Sequence, residues 1–419
     1  MNKSIKAAAL AVLLGLAANN VLAAGFALYE FSARGNAMGG AVMANKAEAA
    51  SLAVNPALIT QIEGSELQVG STFVIPSATA TVNGDSRDLE SRVFVLPNFY
   101  ATYQASENVF LGLAGFSRFG LGGSYPNYKP WEGGSSGFKF DLLTFSVTPT
   151  IAARVTEELS LSMGLEYMYV DFSVSKHYRT AGLSAELAGK TGSWGGAFGA
   201  YYKPDWAPKW GAGLAYRTKT RVVMDGTASY NMPIPQTSDD IRGSVTLPDS
   251  LNFGVSYAPT EDLVIEAGIV GTFWSAYDAL RIEYPNATPP TIKIDNKNYK
   301  DVIRLNLGAE YILNNSWAVR GGYAFDQSPT NSSYMDTLVP VGDRHLLNAG
   351  VGYKRNNWGL DLSYTYLLGM KMNGTGSIQT VSPLVAPTTA NFEFKNGDAH
   401  MIGITYKYAF KTPFLRGEK

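Results

Sequence analysis

Apolar and polar residues alternate strictly over long stretches from about residue 66 onward. In 358–368, Trp358, Leu360, Leu362, Tyr364, Tyr366 and Leu368 fall on one face, and Gly359, Asp361, Ser363 and Thr365 on the other. The stretch 401–410 repeats this, with Ile402, Ile404, Tyr406, Tyr408 and Phe410 against Gly403, Thr405, Lys407 and Ala409. Segments 159–169 and 303–311 follow the same rule. A period of two predicts β-strands. These runs reach ten residues or more, where a strand of a soluble sandwich usually has about five or six, and Tyr or Trp gathers near their ends. An apolar outer band with aromatic girdles accounts for both features. The predicted fold is therefore an all-β transmembrane barrel whose second face lines a polar or mixed lumen.

The connections between strands divide into two kinds. Tight turns at 105–108, 155–158, 203–209, 258–262, 313–316 and 354–357 alternate with Gly/Pro/Ser/Asn-rich links near 83–89, 121–137, 179–190, 230–240, 286–299, 328–340 and 374–395. Seven long and six short connections predict a 14-stranded antiparallel barrel over 66–410, with short periplasmic turns and long external loops. Residues 24–65 break the strand pattern. They are rich in Ala, Gly and Met, have helical stretches such as 45–53, and are too short to fold alone. Their expected place is inside the lumen, as a partly helical plug.

The start of the chain sets the compartment. Lys3 and Lys6 precede the apolar run 7–18, and 21–23 ends on the small residue Ala23. This is the pattern of a secretory signal peptide, residues 1–23, with cleavage after Ala23 or Ala24. The apolar run is shorter than a spanning helix requires. Loss of Lys3 and Lys6 leaves two fewer than the 34 basic residues against 35 acidic ones, a net charge of −3. That balance offers no electrostatic footprint for nucleic acid. Cysteine is absent, so no disulfide framework holds this exported chain. The mean hydropathy of −0.05 suits a barrel, in which polar and apolar positions average out. Residues 411–419 follow Phe410 as a C-terminal tail with no assigned role.

Catalytic chemistry is poorly represented. The three histidines, His177, His345 and His400, belong to no HExxH pattern, and no nucleophile elbow occurs. No enzymatic activity, metal or cofactor is expected. Asn55-Pro56-Ala57 stands out in the plug. This triplet lines pores in helical water channels, but here it occurs once and without spanning helices. Pro56 suits a turn or the start of a helical turn, and the Asn55 side chain can satisfy nearby backbone groups. The expectation is that the triplet anchors the plug to the inner wall.

Several segments, in order and spacing, resemble the FadL family of outer-membrane transporters for long-chain fatty acids and other hydrophobic compounds (OmpP1/FadL/TodX-like). They are Ala24-Gly25-Phe26 with Leu28 and Glu30-Phe31-Ser32, then 55–60, 116–121, 247–257 with 273–280, 299–311, 317–329 and 339–344. The resemblance implies a Gram-negative outer-membrane location and passive uptake of hydrophobic molecules. It implies capture by external loops, a pocket against the N-terminus of the plug, and lateral release to membrane lipid through a gap where the third strand kinks. A monomer is expected. The alternative function is a general diffusion porin for small polar solutes, which rapid swelling of liposomes in small sugars would reveal.

On this reading the ligand-binding candidates are Phe26, Leu28, Phe31, Lys300 and Arg304. Arg304 also suits an ion pair with Glu310 or another neighbour. Asp171 stands near where some fatty-acid members carry a basic residue, which leaves room for neutral hydrocarbons. The lateral gate is expected at Phe119, Gly120, Gly122 and Gly123, since Gly permits bulges; the same glycines also suit the start of the loop after strand three. Leu121, Tyr125, Tyr128 and Trp131 form a candidate capture site, or pack the loop against its neighbours.

Overall fold

The computed structural model describes residues 25–125, 135–178, 184–231, 238–287, 289–337, 342–378 and 388–410. The expected signal peptide 1–23, Tyr128, Trp131 and the expected tail 411–419 lie outside the described residues. The strands in chain order are β1 (Ser65–Pro76), β2 (Phe94–Gln104), β3 (Val109–Phe116, then Gly120–Tyr125), β4 (Ser135–Arg154), β5 (Leu159–Tyr178), β6 (Ser184–Tyr202) and β7 (Trp210–Arg217, then Thr220–Asn231). They continue as β8 (Ser238–Leu247, then Ser250–Tyr257), β9 (Leu263–Thr272, then Ala279–Tyr284), β10 (Thr291–Asn296, then Val302–Ile312), β11 (Trp317–Asp326), β12 (Arg344–Arg355), β13 (Trp358–Gly369) and β14 (Ala399–Phe410). Each pairs antiparallel with its neighbour, and β14 closes on β1 from Ser65 opposite Phe410 to Pro76 opposite Ala399. Fourteen strands close into one ring, the arrangement by which strands cross a bilayer.

The alternation read from the sequence sets which face is which. On β13, Leu362 and Tyr364 are 42% and 46% exposed while Asp361 and Thr365 are 1% and 3% exposed. A soluble core would have the reverse. Exposed apolar surface on this scale is stable only in lipid. Rings collect at both rims of the band. Trp210 meets Tyr257 at 4.6 Å and Trp317 meets Tyr353 at 4.8 Å near the short turns. Near the other rim, His345 Nδ1 shares a hydrogen with the Tyr323 hydroxyl, and His400 Nδ1 with that of Tyr364, each at 2.7 Å.

The N-terminal segment lies against the inward faces of the strands. Ser32 caps helix α1 (Ala33–Ala37) by accepting from the Gly35 amide. Helix α2 (Ser51–Val54) leads to Asn55, which caps the 3₁₀ turn Pro56–Gln61 with Pro56 at its first position. Polar inward residues bond this segment. The Ala33 amide donates to Thr405 at 2.9 Å, the Ala50 amide to Gln68 at 3.0 Å, and Ser256 donates to the Ala44 carbonyl at 2.7 Å. Close approach is possible because the wall is thin at chosen points. A Cβ on Gly213 would lie 2.0 Å from the Met43 carbonyl oxygen.

The external links hold structure that the pattern did not predict. Thr79–Val82 and Asp85–Asp88 form a hairpin through Asn83-Gly84, both at positive φ, as a tight two-residue turn demands. With Met372–Ile378 and Thr388–Lys395 they make a separate four-stranded sheet. Its buried Ala80, Val82, Phe392 and Phe394 belong to the same apolar cluster as Phe26 and Trp274.

Candidate functional site

Strand β3 leaves the wall partway along its length. It pairs with β2 only between Phe99–Gln104 and Phe110–Gly115. After Phe116 the chain runs three residues, Ser117–Phe119, out of strand geometry. It resumes at Gly120 paired with β4 alone, Gly120 opposite Leu143. Since Phe116 lies opposite Ser146, three residues of β3 face two of β4, which is a bulge. The Thr144 hydroxyl fastens it by donating to the Phe119 carbonyl at 2.6 Å. Beyond Phe99, residues Phe94–Asn98 of β2 have no ladder partner on this side among the described residues.

The N-terminus occupies the inner side of this break. The Leu28 amide donates to the Arg118 carbonyl at 2.8 Å, the Gly120 amide donates to the Phe26 carbonyl at 2.8 Å, and Ala27 bridges Phe119 antiparallel. Of the backbone groups released by the bulge, the Arg118 carbonyl and the Gly120 amide are thus satisfied by residues 26–28, and those of Phe119 by the Thr144 hydroxyl. Side-chain charge holds the bulge from below. Arg118 pairs with Glu166 of β5 at 2.8 Å, and Arg217 of β7 stands 3.6 Å from the same carboxylate. Arg217 also donates to the Leu52 carbonyl at 2.7 Å.

Phe26 sits in an aromatic box. Its ring meets Trp274 edge-on at 4.6 Å, Tyr277 at 5.5 Å and Phe119 at 6.1 Å. Tyr299 closes the box, 5.7 Å from Trp274 and 5.0 Å from Tyr277. Trp274 is fully buried, on the 3₁₀ turn that interrupts β9. Phe31 packs edge-on against Phe116 at 5.2 Å, and Tyr29 lies under the Arg304 guanidinium at 4.5 Å. Leu28 is buried in a second cluster with Val74, Phe94 and Met401. Two cavities of about 30 Å³ each remain around Tyr29 and Phe31, room for a water and no more. On the turn side, by contrast, a mouth of about 1210 Å³ opens among Gln104, Glu107, Lys354 and Trp358, with Ala47 and Glu48 in its lining.

The predicted residues are distributed as follows. Phe26, Leu28, Phe31, Phe119 and Gly120 meet at the break. Arg304 pairs with Asp326 at 3.1 Å, and Arg344 joins the same carboxylate; Glu310 is taken instead by Arg34 and Arg320. Lys300 is exposed, its amide donating to the Pro329 carbonyl at 2.9 Å. Gly122, Gly123, Leu121 and Tyr125 lie on the outer segment of β3, where Leu121 and Tyr125 are buried. The expectation of a loop from residue 121 is corrected here: the chain stays a strand through Tyr125 because β4 continues to offer a partner edge. Asn55 donates to the Met43 carbonyl at 2.9 Å and to the Ala200 carbonyl of β6 at 3.0 Å, and accepts from Ala57 at 3.2 Å; Pro56 and Ala57 are buried beside it. Arg118, Glu166, Trp274, Tyr277 and Tyr299 did not stand out in the sequence. The signals available were the charge of Arg118 within 116–121 and the place of Trp274, Tyr277 and Tyr299 in the segments 273–280 and 299–311 that carry the family resemblance.

Outside comparisons agree with this architecture. Residues 14–410 match the family model described as outer membrane protein transport protein (OMPP1/FadL/TodX). The long-chain fatty acid transport protein of Salmonella typhi is 24% identical over 96% of this chain and 98% of its own length. A FadL homologue from Pseudomonas aeruginosa superposes with a TM-score of 0.80 at 17% identity, covering 92% of this chain and 100% of that one. The toluene transporter TbuX of Ralstonia pickettii gives 0.72 at 18% identity, with coverage of 91% and 99%.

Proposed function

The chain belongs to the OMPP1/FadL/TodX family of outer-membrane transport proteins, channels for hydrophobic molecules rather than enzymes, and from that premise we propose lateral delivery of a neutral hydrophobic solute. The solute is captured among the external links and passes along the apolar cluster that joins their four-stranded sheet to Phe26. It displaces the Phe26 ring from its aromatic box and leaves sideways where β3 quits the wall. A single observation carries this reading: the ladder between β2 and β3 stops at Phe99, and the N-terminal residues 26–28, not another strand of the wall, close the break from inside.

The physical case is a matter of solvent. Moving an alkyl chain through water costs about 0.8 kcal/mol per CH₂, so an axial aqueous route would hold a hydrocarbon back. A side exit reaches lipid directly, and only an interrupted ladder allows one. Neutrality is favoured because Arg304, the cation nearest Tyr29, is already committed to Asp326. Among named relatives, the Salmonella protein is a fatty acid transporter and TbuX a toluene transporter; the pairing of Arg304 with Asp326 supports a reading nearer the second chemistry. Asn55 acts as the anchor that stays while residues before it move. The test is deletion of Ser117, which removes the extra residue of the bulge and lets β3 run straight. Uptake of a hydrocarbon by cells is then lost while the barrel still folds; unchanged uptake would overturn the lateral route.

A further inference from the structure

Neighbouring strands lie about 4.8 Å apart, so outward side chains two strands apart are normally separated by roughly 10 Å of intervening surface. Phe99 on β2 and Phe145 on β4 both point outward by the alternation of their strands. Their ring centroids are nevertheless only 6.3 Å apart, tilted by 32°. They meet over β3 at the level where that strand departs. Gly115 is the ladder partner of Phe99, and a Cβ there would lie 2.0 Å from the Phe99 ring. One level further on, the bulge has carried β3 inward, and Phe145 stands beside the bulge on β4.

We infer that Phe99 and Phe145 are the two leaves of a door on the lipid side of the break, and that they select solutes by cross-section. This rests on the lateral release proposed above. Both leaves are flat and apolar, and each turns about its own side-chain bonds on its own strand. A slim or planar hydrocarbon passes when one ring turns. A bulky polycyclic one needs both rings to move, against the stiff backbone on either side. Gly115 is what makes the closed position possible, because any side chain there would hold Phe99 away from Phe145.

The chain has no cysteine, so the double variant Phe99→Cys/Phe145→Cys carries two thiols that a bis(methanethiosulfonate) reagent can bridge after folding, each thiolate displacing methanesulfinate to form a disulfide that reductant cleaves. Cells expressing the full-length variant are given tetradecane or pyrene, each radiolabelled. The expected result is that bridging blocks uptake of both and that reductant restores it, which a folding defect cannot mimic. Phe99→Ala and Phe145→Ala are expected to raise pyrene uptake relative to tetradecane by about three- to tenfold, the range that loss of one aromatic contact allows. If bridging and both alanine variants leave the ratio and the rates unchanged while deletion of Ser117 still abolishes uptake, the door is wrong and lateral release stands. If the Ser117 deletion also leaves uptake intact, both ideas fall together.

Discussion

Replacing Glu166 by Gln removes the charge that holds the bulge of β3 while conserving volume. Glu166 is fully buried on the lumen face of β5. Its carboxylate is the ion-pair partner of Arg118 at 2.8 Å and is shared with Arg217 at 3.6 Å. Without it, two guanidinium groups face each other in a buried site. Breaking a buried pair by removing one partner costs about 3–5 kcal/mol. Arg217 keeps its bonds to the Leu52 and Ala53 carbonyls at 2.7 and 3.2 Å and its place over the Phe116 ring. Arg118 retains mainly the face of Phe119. The expected loss is therefore at the lower end, about 3 kcal/mol. Urea unfolding of the purified barrel in lipid vesicles, followed by tryptophan fluorescence and extrapolated linearly, reads it directly. Adding Arg118→Leu to Glu166→Gln removes one of the two uncompensated charges and their mutual repulsion, so the double variant recovers part of the loss, with a coupling of about 1.5 kcal/mol or more. A single-variant loss below about 1 kcal/mol, or strictly additive effects, would refute the claim that this pair pins the bulge.

Asn55→Ala deletes two bonds to carbonyls and one cap; a stability loss of about 1–3 kcal/mol and a leak of small sugars in liposome swelling are expected, whereas an unchanged barrier returns the triplet to an ordinary turn. Gly213→Val places a side chain on the Met43 carbonyl, so the plug cannot seat at β7, and single-channel recordings are expected to show a raised, noisy conductance absent from wild type. In the external links, burial alone would lower the Lys297 ammonium, but the carboxylates of Asp295 and Asp336 outweigh it and hold it well above the usual lysine range. A raised folded-state pKa means that the clamp contributes fully below the unfolded value of about 10.4 and weakens only as pH climbs through the folded one. Limited proteolysis of the external links is thus expected to stay slow from pH 7 to about 10 and to speed up at every pH in Lys297→Met.

Much of the barrel was legible because lipid and lumen impose opposite demands on successive residues. Five of the six tight turns expected from composition fall between two observed strands, the sixth, 354–357, overlaps the end of β12 at Arg355, and the inward Asp361 and Thr365 lie where their alternation put them. The breaks were not legible. Strand β7 is interrupted at Thr218-Lys219 and β9 at the turn bearing Trp274, yet nothing in their local propensity marks them, since pairing across the ring decides where a strand ends. The four-stranded external sheet was hidden for the same reason: two of its strands come from 79–88 and two from 372–395, and only closure of β14 on β1 brings them together. At the site, the small and aromatic residues of the N-terminus were visible as candidates. Their partners were not, because Trp274, Tyr277 and Tyr299 converge on Phe26 from some 250 residues away.

The bonds of the plug carry a timetable. Residues made first find their partners among residues made last: Arg34 waits for Glu310 on β10, and Ala33 for Thr405 on β14. Arg320, Asp361 and Lys407 extend the same buried chain of charges from β11 through β13 to β14. The lumen in which these groups are shielded does not exist until β14 meets β1. Segments this distant in sequence meet late in folding, so the N-terminal forty residues must remain chaperoned, or shelter in a half-made sheet, while the rest of the ring is laid down. A chain stalled before its final strand would present unpaired charge where the finished protein has a seal, a defect by which quality control in the periplasm can tell an incomplete barrel from a complete one.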